Sequence, residues 1–383
     1  MTFGKMPIAN GFIEKKNFKE EFFFEMEVGF SESLSLFQLN DHPKPEKMFN
    51  ENYPFFSGSS KYMIDHFKKY ADNLKSICPG NNLRIIEIGS NDGTMLKNFP
   101  KENYKSIGFE PSKNVSDKAK AEGINSINNF FNQSNISQIT EYHSKTDIIY
   151  ASNCICHIPD LNDLIKSIEI LLSKNGIFVF EEPYLGSMFE KVSYDQIYDE
   201  HIYMFSINAV KKIFDLYDLE IIDAQPQVTH GGSMRYFIKR KKQSTKTKNL
   251  ENLIDLEKKN NLDTIEKCLE FKLNCENSKN MVKKKLKEFK SNNLTICGYA
   301  ATSKSTTILN YCGIDQSIID FICDTTPEKI GKYTPGTHIP VLDISHFHKS
   351  KPDIAYLFAW NHKNEILKKE NEFKGKWFSH VSI

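Results

Sequence analysis

LRIIEIGSNDG, residues 83–93, is the stretch of the chain that decides its fold. A short apolar run ends at Gly89, and Gly93 follows where a helix is expected to begin. Glycines between a strand and a helix let the backbone approach a ligand that a Cβ atom would push away. The stretch therefore predicts the first strand of an α/β sheet with a ligand at its carboxyl end.

Four more apolar runs continue the pattern at helix-length intervals, over residues 106–110, 126–130, 146–153 and 176–183. An amphipathic segment over residues 160–176 predicts a helix ended by glycine. Residues 229–240 predict a glycine turn that leads into a last strand. Strands that alternate with helices indicate a doubly wound, mostly parallel sheet, so the fold class is α/β.

The length of 383 residues predicts two or three domains. The composition turns basic and polar at residues 239–249, a charged helical pattern follows, and a second strand-turn-helix pattern begins at 294–314. We expect four parts: an amino-terminal segment over residues 1–75, an α/β domain over 76–240, a helical connector over 241–290 and a second Rossmann-like α/β domain over 291–383.

The charge balance excludes some classes of partner. Lys and Arg number 50 against 49 Asp and Glu, so no net field would gather nucleic acid or an anionic membrane. The chain has no run of 18 apolar residues, and charges interrupt its first 24 residues where a signal peptide would be apolar. We expect a cytoplasmic protein, a monomer, with no nucleic-acid or membrane partner.

The eight cysteines form no CxxC pair of the kind that structural zinc sites favour. Cys154 and Cys156 stand two apart in an apolar run, which on a strand would point them to the same face. Core packing is favoured for them over metal or redox use. We therefore expect that no residue of the chain binds a metal ion.

The glycine turn after the first strand predicts a nucleoside site. It lacks the third glycine of the GxGxxG fingerprint and offers Asp92 where a pyrophosphate would need bare amides. Glu110 ends the next strand, 17 positions beyond Gly93, where a carboxylate can accept hydrogen bonds from both ribose hydroxyls. Together these features indicate S-adenosylmethionine as the cofactor.

The cofactor residues expected from this reasoning follow the carboxyl ends of the strands. An amide and an aromatic ring after the third strand are suited to adenine. A helix cap remains an alternative for Asp92, a turn acid for Glu110 and core packing for Phe130. The full set is Glu87, Gly89, Asn91, Asp92, Gly93, Glu110, Pro111, Asn129, Phe130 and Asn153.

A polar cluster at residues 194–203 follows the fifth strand, where open α/β sheets bind ligands. His201 titrates near neutrality, Tyr198 is suited to donate to a developing oxyanion, and Glu200 to orient the imidazole. A charged surface helix is the alternative. These residue types predict a site of proton abstraction.

Two further groups are placed to enter the same cleft. His157 follows the fourth strand, although a helix-start histidine would also account for it. The turn at His230, Gly231 and Gly232 offers backbone amides to an anionic group, and a plain β-turn explains the glycines equally well. We expect both groups to line the substrate site.

Several motifs occur in the order of a known family. They are EIGSNDG (87–93), GFEPSKNV (108–115), SNCICHIPDLND (152–163), YDQIYDEHIYMFS (194–206), THGGSMR (229–235), GYAATSKSTTILNYCGI (298–314), TPEKIGKYTPGTHIP (326–340) and FAWNHKNEI (358–366). In these motifs the chain resembles the nucleotide-sugar 3-C-methyltransferases of deoxysugar biosynthesis. The resemblance covers most of the chain.

The resemblance implies an amino-terminal zinc-binding module, a central S-adenosylmethionine-binding domain with the class I methyltransferase fold and a Rossmann-like carboxyl-terminal domain that helps to hold the substrate. It implies that His201 is the base, supported by Tyr198 and Glu200, with His157 lining the pocket. It also implies that the turn over residues 298–304 contacts the sugar nucleotide, with Tyr299, Ser303 and Lys304 as the expected ligands.

The chain departs from the family pattern at three places. The zinc module needs four cysteines, and none precedes Cys78, so no zinc is expected and apolar packing must hold the segment. The turn over residues 298–304 carries Ala300, Thr302 and Ser303 in place of Gly, Pro and Ala. The family's YHEH reads YDEH, and the charge of Asp199 would raise the basicity of the base or signal a different substrate.

The resemblance thus predicts an S-adenosylmethionine-dependent enzyme that methylates C-3 of a dTDP- or other nucleotide-linked 4-keto deoxysugar through an enolate, in deoxysugar or polysaccharide biosynthesis. Two alternatives remain. One is O-methylation of a sugar hydroxyl, and the other is a relative that binds the cofactor or a nucleotide sugar without turnover. A nicotinamide-dependent oxidoreductase is disfavoured, because neither glycine turn reads GxGxxG.

Overall fold

The computed structural model describes residues 1–51 and 53–382 of the chain. Its strands are β1 Thr2–Pro7, β2 Phe23–Ser31, β3 Leu36–Leu39, β4 Leu83–Ile88, β5 Tyr104–Phe109, β6 Ser126–Ile127, β7 Thr146–Ser152, β8 Leu172–Pro183, β9 Tyr203–Met204, β10 Leu219–Gln227, β11 Ser233–Arg240, β12 Ile296–Tyr299, β13 Phe321–Asp324, β14 Val341–Asp343, β15 Ile354–Leu357 and β16 Lys376–Phe378.

The α-helices begin mostly at polar capping residues, such as Ser60, Asp160 and Thr302, whose side chains accept from the first-turn amides. They are α1 Pro45–Met48, α2 Lys61–Ile77, α3 Lys113–Ala121, α4 Gln133–Ile136, α5 Leu161–Leu171, α6 Leu185–Lys191, α7 Ile207–Phe214, α8 Lys248–Lys259, α9 Ile265–Ser291, α10 Ser303–Cys312, α11 Ile344–Ser350 and α12 Lys363–Lys369.

The central sheet has seven strands in the order β10-β11-β8-β7-β4-β5-β6. The strands from β8 to β6 run parallel, and β11 lies antiparallel to both of its neighbours. Apolar clusters cover both faces, and helix α2 supplies one of them with Phe67, Tyr70 and Leu74. The expected doubly wound methyltransferase sheet is confirmed.

Three local expectations for this sheet were wrong. Helix α5 ends at Leu171 because Leu172 already pairs with Thr146, so the segment up to Gly176 is strand. Strand β6 covers two of the five residues in 126–130. Cys154 and Cys156 lie beyond the end of β7, in a turn and a short 3-10 helix over 155–157, and therefore do not share a strand face.

A second parallel sheet, in the order β14-β13-β12-β15-β16, forms the carboxyl-terminal unit. Strand β12 turns into helix α10 at residues 300–302, and this helix ends at Gly313 in the left-handed conformation. The second Rossmann-like unit is confirmed.

The amino-terminal segment forms a four-stranded antiparallel sheet in the order β1-β2-β3-β9. Its last strand, β9, comes from the chain directly after His201. One apolar core joins this sheet to helix α9, to the carboxyl-terminal sheet and to the loop over residues 194–202. The segment is thus held by apolar packing, as expected for a module without zinc.

The domain limits remain a prediction, since the structure shows continuity across them. The limit at residues 75 and 76 falls inside helix α2, which packs on the central sheet. The connector over 241–290 is mostly the helices α8 and α9. No helix within residues 1–51 and 53–382 is long and apolar enough to cross a membrane.

Candidate active site

The turn after β4 requires glycine at two positions. Gly89 has φ of +68°, and a Cβ atom there would lie 2.8 Å from Sγ of Cys154. Gly93 has φ of +75°, and a Cβ there would lie 2.7 Å from Cγ1 of Ile124. Side chains are disfavoured by both the conformation and the space. The two glycines found in the sequence therefore shape this end of the sheet.

Glu110 lies beside this turn, at the end of β5, and is 5% exposed. Its Oε2 accepts from the amide of Asn91 at 3.0 Å, and its Oε1 accepts from the amide of Ser112 at 2.7 Å. Burial raises the pKa of Glu110. Each carboxylate oxygen has capacity for a second donor, as a ribose diol requires.

Asp92 is fully engaged with the protein. Its carboxylate accepts from the Thr94 hydroxyl at 2.6 Å, from the amide of Gly58 at 3.0 Å and from Lys118 Nζ at 3.3 Å. The amide of Ser57 donates to Asn91 Oδ1 at 2.8 Å. The segment 55–58 is thereby tied to the glycine turn, and Asp92 holds it there.

Glu87 and Asn153 lie at the ends of the neighbouring strands β4 and β7. Glu87 is buried at the end of β4, where it accepts a 3.0 Å hydrogen bond from the Tyr150 hydroxyl, and burial raises its pKa well above the usual range. Asn153 follows β7 with φ of +54°, and its buried Oδ1 has no hydrogen-bond partner. Asn153 is the one of the two with a free polar atom for a ligand.

The remaining expected cofactor residues lie around β5 and β6. Asn129 is exposed and Phe130 half-buried. The carbonyl of Pro111 accepts from Asn128 Nδ2 at 2.8 Å. Phe131 packs edge-on against Phe109 with ring centroids 5.2 Å apart, so this phenylalanine is core. The glycine turn, Glu110 and this rim fit an S-adenosylmethionine site.

Tyr198 and His201 form a hydrogen-bonded couple in the loop before β9. The Tyr198 hydroxyl lies 2.7 Å from His201 Nε2, and His201 Nδ1 lies 2.7 Å from the carbonyl of Gln196. A carbonyl can only accept, so Nδ1 carries the proton and Nε2 accepts from the phenol. Burial lowers the pKa of His201 well below the usual range, and His157, His230 and Lys304 add to the effect.

His157 stacks on His201 with ring centroids 5.4 Å apart and an interplanar angle of 22°. Its buried Nε2 has no hydrogen-bond partner, and burial lowers its pKa to about 4. Both imidazoles are therefore neutral at neutral pH. The structure thus brings together the two histidines that the sequence indicated.

Glu200 and Asp199 turn away from the couple toward the amino-terminal segment. Glu200 accepts from Asn10 Nδ2 at 2.7 Å and from the Tyr53 hydroxyl at 3.4 Å. Asp199 Oδ1 accepts from the amide of Ala9 at 2.9 Å. The expected role of Glu200 in orienting the imidazole was wrong, because a backbone carbonyl does this.

The expected effect of Asp199, a higher basicity of His201, is also absent. Burial and the adjacent Glu200 raise the pKa of Asp199 well above its usual range. The pKa of His201 is lowered instead of raised.

The carboxyl-terminal unit adds Lys304 and Ser303 at the start of α10. Lys304 is 7% exposed, its Nζ has no hydrogen-bond partner, and it lies 5.2 Å from the centroid of the Trp360 ring. Ser303 interacts with the Tyr198 phenol. Tyr299 is not brought to the site, since it donates to Glu370 Oε1 at 2.7 Å within the core of its own domain.

The turn at residues 229–232 faces the same unit. His230 has φ of +52° and a buried Nε2 without a partner, and burial lowers its pKa to about 3. A Cβ atom on Gly231 would lie 2.1 Å from the Trp360 ring, and one on Gly232 would lie 2.4 Å from Ser187 Oγ. Gly231 permits close packing against the carboxyl-terminal unit, and Gly232 permits it against helix α6 of the central domain. Nε2 of His230 is left free to bind a ligand.

Family models match the chain after residue 60 in two parts. A methyltransferase domain matches residues 61–224, and a C-methyltransferase C-terminal domain matches residues 228–381. The chain is also similar to the C-methyltransferase NovU of Streptomyces niveus, with 26% identity over 376 residues that cover 97% of this chain and 89% of NovU. The chain belongs to the S-adenosylmethionine-dependent C-methyltransferases.

Solved structures are similar to this C-methyltransferase over about half of its length. One is a methyltransferase in complex with the Trm112 activator of Haloferax volcanii, at 13% identity and a TM-score of 0.40, covering 48% of this chain and 94% of that one. Another is the PH0226 protein of Pyrococcus horikoshii, at 11% identity and a TM-score of 0.40, covering 49% and 95%.

Sequence reasoning missed three residues that this C-methyltransferase brings to the site: Asn10, Tyr53 and Trp360. Trp360 donates from Nε1 to Asp195 Oδ2 at 2.7 Å, in the loop over residues 194–202. Trp360 lies in FAWNHKNEI (358–366), one of the motifs that carried the family resemblance, which was the available signal.

The amino-terminal module does not fit a zinc ion. It contains no cysteine, and the cysteines of the described chain begin at Cys78. Within residues 1–51 and 53–382, the one cluster of three or more potential metal ligands lies elsewhere, at residues 156, 157 and 201.

Proposed function

We propose that the enzyme transfers a methyl group to C-3 of a nucleotide-linked 4-keto deoxysugar. The observation that carries this proposal is the Tyr198–His201 couple, which stands beside buried polar atoms without partners. Buried polar groups are nearly always hydrogen-bonded, so unpartnered ones at a cleft indicate a ligand. The family resemblance supplies the sugar and the position of methylation.

The unpartnered groups favour an anionic substrate. Lys304 Nζ and His230 Nε2 are both buried without a hydrogen-bond partner. The Trp360 ring lies 5.2 Å from Lys304 Nζ and also packs against Gly231, the neighbour of His230. A buried ammonium group without a hydrogen-bonded anion is costly. A diphosphate of a nucleotide sugar would relieve this cost and fix the sugar next to His201.

The couple supplies a proton acceptor. The C-4 carbonyl acidifies the C-3 hydrogen, whose bond breaks with the electron pair moving into an enolate, and the proton reaches Nε2 of His201 directly or through the Tyr198 hydroxyl. Nδ1 is fixed as a donor to Gln196, so Nε2 is held in the accepting tautomer. Bound S-adenosylmethionine supplies the methyl group.

Isotopic labelling tests the proposal. The enzyme is incubated with methyl-labelled S-adenosylmethionine and a nucleotide-linked 4-keto deoxysugar that carries deuterium at C-3. We expect one added methyl by mass spectrometry, a carbon-bound methyl by NMR and complete loss of the deuterium to solvent.

An oxygen-bound methyl with retained deuterium would replace the proposal by O-methylation. Cofactor binding by calorimetry, without transfer to any sugar in a panel of nucleotide-linked 4-keto sugars, would indicate a binding protein instead.

A further inference from the structure

Three potential metal ligands converge at the edge of the candidate active site. One ligand atom each of Cys156, His157 and His201 lies within 4.8 Å of the other two. The sequence spacing gave no sign of this cluster, because His201 is far from the other two in the chain. It is the only such group within residues 1–51 and 53–382.

The backbone fixes the relative positions of these side chains. The amide of Ile202 donates to the carbonyl of Cys156 at 2.9 Å, which ties the two loops together. The amides of Cys154 and Ile155 donate to Glu182 Oε1 at 2.9 and 2.6 Å, so that the loop before His157 is also held. The cluster is therefore built into the fold.

The site has a free donor atom on His157, and a small cavity adjoins the other two ligands. The buried Nε2 of His157 has no hydrogen-bond partner. Cys156 and His201 both line a narrow cavity of about 10 Å³, which is about the room that one water molecule takes.

We propose that Cys156, His157 and His201 bind one thiophilic ion of the Zn²⁺ class and that this ion inhibits the enzyme. A thiolate and two imidazoles are ligands that Zn²⁺ prefers. Ligand atoms around a tetrahedral zinc lie about 3.5 Å apart, so the ligand atoms, which lie within 4.8 Å of one another, must approach by at most about 1.3 Å. The Cys156 proton leaves to solvent on binding, and a water completes the coordination.

Inhibition follows from the bonds that His201 already makes. Its Nε2 holds the Tyr198 hydroxyl and its Nδ1 holds the Gln196 carbonyl. Coordination through either nitrogen breaks one of these bonds. This step rests on the proposed role of His201, whereas ion binding itself does not.

Co²⁺ spectroscopy and Zn²⁺ inhibition test the two steps separately. Full-length enzyme titrated with Co²⁺ is expected to show a thiolate-to-cobalt charge-transfer band with a stoichiometry of one ion. Cys156→Ala is expected to lose this band, to keep its basal activity, and to require at least about tenfold more Zn²⁺ for half-inhibition. Cys154→Ala, whose thiol donates to the Ile88 carbonyl at 3.0 Å, is the matched control and should retain both responses.

The ion site would be overturned if wild type showed no thiolate band, or if the band survived in Cys156→Ala. Inhibition by Zn²⁺ that is equal in wild type and Cys156→Ala would overturn the inhibitory role. A band without methyl transfer to any sugar would leave the ion site standing and reject the proposed function.

Discussion

The phenol oxygen of Tyr198 lies 2.7 Å from Nε2 of His201, and both side chains are at least nine-tenths buried. The Tyr198 hydroxyl therefore donates to Nε2, the only ring nitrogen of neutral His201 that has a lone pair to accept a proton. In the proposed mechanism, the proton from the substrate must therefore pass through, or displace, the Tyr198 hydroxyl.

Tyr198→Phe should lower kcat by about 10² to 10⁴, the usual effect of losing a positioned acid or base. S-adenosylmethionine binding, measured by calorimetry, should be unchanged. Tyr217→Phe is the control, because that hydroxyl donates to Asn162 at the surface. A Tyr198→Phe variant with normal turnover would exclude the couple from the chemistry.

Asn10→Ala should lower kcat by about 10- to 100-fold, because it leaves buried Glu200 short of its 2.7 Å donor in the loop that carries His201. If Asn10 acts through Glu200, the same change in a Glu200→Gln background should cost much less. Asn17→Ala, in the same segment, is the control. Additive effects in the double variant would show that Asn10 acts by another route.

Lys304→Met should separate substrate binding from stability. Removing a buried cation without a hydrogen-bonded anion should leave the free energy of unfolding unchanged or raise it by about 1 kcal/mol. KM for the nucleotide sugar should rise by about 10- to 100-fold, as for loss of a charged contact. Lys349→Met, exposed in the same domain, controls for net charge. A destabilised variant with normal KM would contradict the assignment.

The buried His157 should make the enzyme less stable in mild acid. Its pKa is about 4 in the folded protein against 6.5 without burial, so the unfolded chain takes up the proton first. The stabilisation is present above pH 6.5 and is lost as the pH falls toward about 4. His157→Gln should flatten the fall in the free energy of unfolding over this window, measured by denaturant titration, whereas the exposed His346→Gln should not. Equal slopes in wild type and His157→Gln would contradict the burial effect.

Gly89→Ala should abolish S-adenosylmethionine binding, because the added Cβ meets Cys154 at 2.8 Å in a left-handed conformation. Gly331→Ala is the matched control, since Gly331 has φ of +83° with nothing within 4 Å of an added Cβ. Both variants should lose about 1 kcal/mol or more of stability to backbone strain. Only Gly89→Ala should lose the cofactor, as measured by calorimetry.

The glycine turn and the acidic residue of the cofactor site were predictable from local sequence patterns. The turn from Gly89 to Gly93 and the acid Glu110 belong to consecutive strand-turn units, whose ends meet at one edge of a parallel sheet. The Tyr198–His201 pair was also predictable, because its members are only three residues apart in the sequence.

The contacts that hold this pair were not predictable from the sequence alone. Asn10 and Glu200 are 190 residues apart, and no local period records a contact over such a separation. The orientation of His201 depends on a backbone carbonyl, for which every residue type is equivalent.

Strand β9, Tyr203–Met204, closes the amino-terminal sheet directly after His201. The loop that carries His201 is thus anchored at one end in the cofactor domain and at the other in a separate sheet. A shortened enzyme that begins near helix α2 would keep a complete cofactor fold and yet lose the far attachment of its active-site loop. Miniaturisation of this enzyme is therefore limited by its first forty residues.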